Sequence, residues 1–277
     1  MSPCIIRRLT ADGLSPVDYH ADSLNEAAAY EPTDGVYTVT NTFETFKVLR
    51  LTAHLDRLED SARRANIPLK LDRARLRAAL REMIAEAGYG DVRFRVTVPA
   101  QSPDELILSV EPFKALAPEI IANGVRCITV PDSARHNAAA KTTDWMHQRG
   151  QIESSLPPGI YTALLLDEGG YILEGVSSNF YAVLDGELRS AGQGVLPGIA
   201  QQIVYAVAPD VLPVRKDAVH VKDVPRLAEA FITSSSRGIV PVVEIDGISI
   251  GNGAPGEKTR ALRERYLASM RDQLEEL

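Results

Sequence analysis

YTALLLDEGGYILEGVSSNFYAVLDGELRS, residues 161–190, is the stretch whose pattern decides the fold. Tyr161–Asp167 and Tyr171–Glu174 lie either side of Glu168-Gly169-Gly170, and Phe180–Leu184 and Glu187–Ser190 flank Asp185-Gly186. Short apolar runs broken by Gly-containing turns predict two successive hairpins. Downstream, Leu196–Ala206 predicts a helix with Pro197 near its first turn, where the missing N–H is harmless. Ala230–Thr233 and Ile239–Ile245 return to strand before the Asp246-Gly247 turn, and Pro241 marks the second as an edge candidate. A charged amphipathic helix follows Pro255.

Upstream, strand and helix signals alternate. Val36–Val39 and Thr45–Leu51 read as strands, with Thr52 as the N-cap of a helix over His54–Ile67 that carries Leu55, Leu58, Ala62 and Ala65 on one face. Leu71–Ala87 repeats that pattern and stops at Gly88. Val92–Val98 and Glu105–Val110 alternate as half-buried strands do. The Pro-containing stretch 112–124 is the boundary candidate. It predicts a small N-terminal domain over 1–117, a linker over 118–124 and a larger C-terminal domain over 125–277, both of mixed α and β content.

At 277 residues the chain can bury one or two real cores, and 45% hydrophobic with 24% charged residues is ordinary for a globular protein. A net charge of −7 argues against a nucleic-acid partner, which would need basic patches. Cys4 and Cys127 are too few for a disulfide framework or a four-thiolate zinc site, and the five histidines lack helical metal-pair spacing. No metal is expected. No apolar run reaches membrane-spanning length and MSPCIIRRLTADG lacks a secretory core, so a cytoplasmic protein without membrane contact is expected.

Four features need a common account: Arg57 in HLDRL, Lys141 in HNAAAKTTDW, Glu174 with Asn179 in EGVSSNFY, and the small-residue turns LPGIA (196–200) and TSSS (233–236). Taken singly, each residue is most often a solvated surface group. Taken together they meet the demands of pyridoxal phosphate. Its aldehyde needs a lysine amine, its pyridine nitrogen a carboxylate, and its phosphate an arginine fork with backbone N–H groups at a helix start.

With these motifs the sequence resembles the class IV aminotransferase family (fold type IV), which includes branched-chain and D-amino-acid aminotransferases and aminodeoxychorismate lyase. The resemblance spans Asp34 to Gly247 and rests on DGVYT (34–38), HLDRLEDSA (54–62), Lys141, EGVSSNFYAV (174–183), LPGIAQ (196–201) and FITSSS (231–236). It implies two α/β domains of α+β or α/β class with the cofactor in the cleft between them, and a homodimer. By position it implies Lys141 as the Schiff-base lysine and Arg57 on the phosphate. Glu174 faces the pyridine nitrogen with Asn179 nearby, and Ile199, Ala200, Ser235 and Ser236 complete the phosphate site. Tyr37, Thr38 and Trp145 become candidates for the substrate side. A substrate carboxylate needs an arginine, for which Arg93, Arg95 and Arg149 are candidates and Arg95 comes first by family position.

Departures from the family bear on the substrate: Thr38, Ser190, Gln201 and the TTDWM that follows Lys141. The expected activity is transamination between an amino acid or amine and a 2-keto acid through Lys141. The alternatives are a lyase of the aminodeoxychorismate type, which Thr38 favours, and a non-catalytic binding protein of the same fold.

Overall fold

The structure is a computed structural model and describes residues 4–277; residues 1–3, the start of the segment read above for a leader, lie outside the described residues. Two compact units emerge. One comprises the chain up to Lys114 with Ala140–Gly150 and Gln273–Leu277, the other Ala115–Ala139 with Gln151–Asp272. In chain order the elements are β1 (Ile5–Thr10), β2 (Gly13–Pro16), α1 (Leu24–Ala27), β3 (Val36–Phe43), β4 (Lys47–Leu49), α2 (Leu51–Arg64), α3 (Arg73–Ala87), β5 (Val92–Val98) and β6 (Leu106–Pro112). Then come α4 (Pro118–Asn123), β7 (Val125–Val130), α5 (Thr143–Ser154), β8 (Thr162–Leu166), β9 (Ile172–Gly175), β10 (Ser178–Leu184) and β11 (Glu187–Arg189). The chain ends with α6 (Ile199–Val207), β12 (Val214–Arg215), β13 (Glu229–Ser234), β14 (Gly238–Ile245), β15 (Ile248–Ser249), α7 (Glu257–Arg271) and β16 (Leu274–Glu276).

The first unit is built on an antiparallel sheet of order β16-β4-β3-β5-β6-β1-β2. Alternation along β5 turns Val92, Phe94, Val96 and Val98 to one face, where they join Leu55 and Leu58 of α2 and Leu76, Leu80 and Met83 of α3 in a buried core. The register Tyr37↔Thr97, Val39↔Arg95 and Asn41↔Arg93 places these residues on the opposite, more polar face. Gly35 is required where β3 begins, because a Cβ there would lie 2.4 Å from the Val98 carbonyl oxygen.

Helix α2 starts earlier than its local pattern predicts. Arg50 turns the chain with a left-handed φ of 47°, so Thr52 lies inside the first turn and is not the N-cap. The Glu275 carboxylate of β16 caps instead, accepting from the Thr52 N–H (2.9 Å) and hydroxyl (2.6 Å). A negative charge at a helix N-terminus is favourable, and here it comes from a partner 223 residues away.

The second unit contains a sheet of order β12-β11-β10-β13-β14-β7-β8-β9 in which β9 also pairs with β10. Six strands therefore close into a ring, with β11 and β12 extending from β10 and β15 from β14. The two hairpins of residues 161–190 supply three of the six. Asp185 and Gly186 hold φ of 52° and 81° in the tight turn between β10 and β11. Cys127, Leu164, Ile172, Phe180, Ile232 and Val242 lie in its buried core.

Several boundaries differ from the sequence expectation. The chain changes unit at Lys114, and residues 118–123 form α4 rather than a linker, started by Pro118 and ended by Gly124 with φ 73°. Residues 125–277 are not one body. Thr143 ties the start of α5 to the first unit, donating its N–H to the Gly35 carbonyl (2.9 Å) and accepting the Gly35 N–H on its hydroxyl (2.7 Å). The C-terminal β16 pairs with β4. Pro241 is not on an edge: β14 lies between β13 and β7, but β7 pairs only from Val242, so the missing N–H falls outside that ladder. Pro197 precedes α6, whose N-cap is Gly198.

Candidate active site

Lys141 sits at the junction that Thr143 creates. Its N–H donates to the Ser61 hydroxyl of α2 (3.1 Å) and its carbonyl accepts the Tyr37 N–H (2.9 Å), which fixes the backbone on both sides. The amine lies 4.7 Å from the centre of the Tyr37 ring, a cation–π distance. On α2, His54, Arg57 and Ser61 are all buried, at the three- and four-residue steps that share a helix face. His54 Nδ1 and the Thr38 hydroxyl share a hydrogen bond of 3.0 Å, so Thr38 is engaged with α2. Burial pushes the His54 imidazole well below its usual pKa, and the charges of Arg57, Lys141 and Arg50 push the same way. His54 is therefore neutral at pH 7.

Tyr37 responds differently to the same surroundings. Burial alone would raise its phenol, but the charges of Arg149, Lys141 and Arg95 bring it down to about 8. Lys141 also acts on the hydroxyl as a side-chain hydrogen-bond partner, which lowers it further.

Arg95, first candidate for a substrate carboxylate, is already taken. It is 2% exposed and donates through Nε to Glu31 (2.9 Å), through Nη2 to the same carboxylate, and through Nη1 to the Leu24 carbonyl (2.8 Å). Thr97 donates to the other Glu31 oxygen, and His147 Nε2 meets the Glu31 carbonyl at 3.1 Å. Arg93 pairs with Glu111 at 3.3 Å. The Arg95 guanidinium is not available, because Glu31 and the Leu24 carbonyl already hold it. Trp145 is half-buried on α5.

In the second unit, Glu174 is the penultimate residue of β9, with its side chain 6% exposed. It accepts from Arg135 Nε at 2.8 Å and from the Leu196 N–H at 3.2 Å. Arg135 also donates to the Ala138 carbonyl (2.6 Å). Asn179 is opposite Glu174 in the β9–β10 pairing and donates to the Leu196 carbonyl (2.9 Å). These bonds hold the turn leading to Gly198, where Ile199 and Ala200 begin α6 with backbone N–H groups that no side chain caps. Ser235 and Ser236 form the turn between β13 and β14, half-buried. Arg237 beside them donates to the Ser234 hydroxyl (2.8 Å) and to the Ser177 carbonyl (3.0 Å), joining that turn to the one after β9.

The structure thus gathers Lys141, Arg57, Tyr37 and Thr38 in the first unit, and Glu174, Asn179, Ile199, Ala200, Ser235 and Ser236 in the second. Sequence reasoning gave no role to His54, Arg135 or Arg237. His54 stood inside the HLDRL motif, whereas nothing in the spacing marks Arg135 or Arg237.

Two observations fit pyridoxal phosphate. In the first unit, His54 Nε2 is buried without a hydrogen-bond partner among the described residues, on the same helix face as the buried Arg57, whose charge suits a phosphate. In the second, the uncapped start of α6 presents N–H groups and positive dipole to a phosphate.

The family described as Amino-transferase class IV matches residues 35–245. The chain is 27% identical over 267 residues to the D-alanine aminotransferase of Listeria monocytogenes serotype 4b, covering 87% of this chain and 89% of that one. It is 27% identical over 242 residues to the branched-chain-amino-acid aminotransferase of Escherichia coli K12, covering 79% and 77%. Among solved structures, the branched-chain aminotransferase of the thermophilic archaeon Thermoproteus uzoniensis with norvaline shares the fold with a TM-score of 0.80, covering 99% of both chains at 20% identity. The family match spans most of the chain and both sets of residues, and on it the chain belongs to the class IV aminotransferase family and is a pyridoxal-phosphate-dependent transaminase.

Proposed function

We propose that Lys141 is the cofactor-bearing and proton-transferring residue of this transaminase. The observation that carries the reading is the pinning of Lys141 by Ser61 and Tyr37, which sets its amine next to the buried Arg57, His54 and Tyr37. Arg57, the N–H groups of Ile199 and Ala200, and the hydroxyls of Ser235 and Ser236 hold the phosphate. Glu174, positioned by Arg135 and backed by Asn179, receives the ring nitrogen. Bound pyridoxal phosphate supplies an aldehyde that takes up amino groups and a ring that delocalises the electrons left at the substrate α-carbon.

The work of the chain's own residues follows. Lys141 Nζ takes the α-proton of the amino donor in the first half-reaction. In the second it returns a proton to the α-carbon of the keto-acid acceptor. Neutral His54 holds its place through Thr38 without adding to the positive charge around Lys141. That engagement removes the support Thr38 lent to the lyase alternative, and the relatives' names favour transamination.

The substrates are a 2-amino acid and a 2-keto acid, with apolar side chains like those of the relatives' named substrates. On this reading the enzyme acts as a homodimer in the cytoplasm, in keeping with the family and with two buried free cysteines. The test is Lys141→Ala. It should eliminate the visible absorbance of lysine-linked cofactor and both half-reactions. Retention of that absorbance would sink the assignment. Incubating the unsubstituted enzyme with L-leucine or D-alanine alone, read by conversion to the pyridoxamine form, identifies the donor class.

A further inference from the structure

Arg237 is half-buried, and its partners among the described residues are all neutral. Nε donates to the Ser234 hydroxyl (2.8 Å) and Nη1 to the Tyr161 hydroxyl (3.4 Å). Nη2 donates to both the Ser177 carbonyl (3.0 Å) and the Ser177 hydroxyl (3.1 Å). The guanidinium carbon lies 5.7 Å from the centre of the Tyr161 ring, within cation–π range. Arg95 and Arg135, by contrast, each meet a buried carboxylate. A guanidinium keeps its proton, and neutral acceptors orient its charge without cancelling it.

These bonds join two turns at one end of the ring of strands. Ser177 lies in the short turn between the paired Gly175 and Ser178, and residues 235–237 lie between the paired Ser234 and Gly238. The pairing of Asn179 with Thr233 sets the two turns side by side. The same start of β10 carries Asn179, whose amide holds the Leu196 carbonyl ahead of α6. Ser235-Ser236 and Ile199-Ala200 are thus supported from one strand end. Within the 235–237 turn, the backbone bond from the Arg237 N–H to the Ser234 carbonyl is long, at 3.3 Å. The side chain of Arg237 therefore supplies much of the anchoring. A turn ordered only when its ligand arrives loses affinity to the entropy of ordering, and one held in advance does not.

We infer that Arg237 is a positioning residue for the cofactor phosphate: it fixes the Ser235-Ser236 turn against the turn after β9, and its uncancelled charge biases that turn toward a dianion. The inference rests on Ser235 and Ser236 holding the phosphate, and its test separates the two. Pyridoxal has the ring and aldehyde of pyridoxal phosphate without the phosphate. Binding of each to full-length cofactor-free protein, by equilibrium dialysis, gives two dissociation constants whose ratio isolates the phosphate. General damage to the fold would move both constants together.

Arg237→Met should weaken pyridoxal phosphate roughly tenfold and pyridoxal less than about twofold. Arg237→Gln should behave likewise, and serves if the methionine variant fails to fold. Arg237→Lys, which keeps the charge but not the fork, should fall between the neutral variants and the unsubstituted protein. Amide hydrogen exchange in the cofactor-free neutral variants should quicken at residues 234–238 and 176–178 and stay unchanged along β8. A ratio within about twofold of the unsubstituted protein, in whichever neutral variant folds, would overturn the inference. The double variant Ser235→Ala, Ser236→Ala should lower the ratio at least as far as Arg237→Met. A drop there with none in Arg237→Met overturns the inference alone. An unchanged ratio in the double variant would overturn the reading of the two hydroxyls as phosphate ligands, and the inference with it.

Discussion

Glu174 and Arg135 form a buried pair in the second unit, and its size can be worked from its contacts. Each side chain is 6% exposed, and Glu174 accepts from Arg135 at 2.8 Å and from the Leu196 N–H at 3.2 Å. Glu174→Ala removes both acceptor oxygens and leaves the Arg135 charge buried beside a gap. Breaking a buried pair from one side costs about 3–5 kcal/mol, and for a chain of this size each kcal/mol lowers Tm by roughly 2–4 °C. The expected drop is on the order of 10 °C. Glu174→Gln keeps an oxygen for one donor and should lose about 1–3 kcal/mol while strongly reducing turnover, since a neutral amide is a poor partner for a protonated ring. Removing both charges tests the logic further. The double variant Arg135→Met, Glu174→Met, of similar volume and without charge, should recover most of the lost stability. Calorimetry is the assay, because two units need not unfold in one step. A Tm within about 2 °C of the unsubstituted protein for Glu174→Ala, or a double variant as unstable as the summed singles, would refute this account of the pair.

Two further outcomes are expected. With its phenol at about 8, Tyr37 should ionise before the other buried tyrosines, which burial pushes upward, so a tyrosinate titration of cofactor-free protein should show one step near pH 8 that Tyr37→Phe removes. Because the folded value lies below the unfolded value of 10, the ionised phenol adds stability as pH rises from 8 to 10, at most about 3 kcal/mol, and loses it as pH falls through 8; unfolding midpoints of Tyr37→Phe that track the unsubstituted protein across that window would count against it. Gly198→Ala would set its Cβ 2.1 Å from Asn179 Oδ1, forcing Asn179 off the Leu196 carbonyl and disturbing the start of α6. That should destabilise by about 1–3 kcal/mol and weaken cofactor binding, measured by dialysis, with Asn179→Ala in the same chain relieving the clash.

What was legible in the sequence, and what was not, divides along a physical line. Lys141, Arg57 and Glu174 could be named together because one cofactor makes three chemically distinct demands, each met by a local motif in a definite order. The strands of 161–190 were legible because Gly-containing turns and apolar runs are short-range signals. Arginines are another matter. Alternation put Arg93 and Arg95 on one face of β5, and that strand runs over Val92–Val98 as expected. Which group covers the face depends on residues 24–31, a segment with no strong periodicity, and there Glu31 neutralises Arg95. Family position ranked Arg95 first among the candidate arginines, and its partner Glu31 removes it from that role. The same reasoning applies to Thr52, which has the chemistry of an N-cap but yields that role to Glu275 from the far end of the chain. An arginine's role is set by whether the chain itself supplies it with an anion. An anion that arrives from a distant segment, as Glu31 reaches Arg95 and Glu275 reaches the start of α2, leaves no mark in the sequence around the group it neutralises.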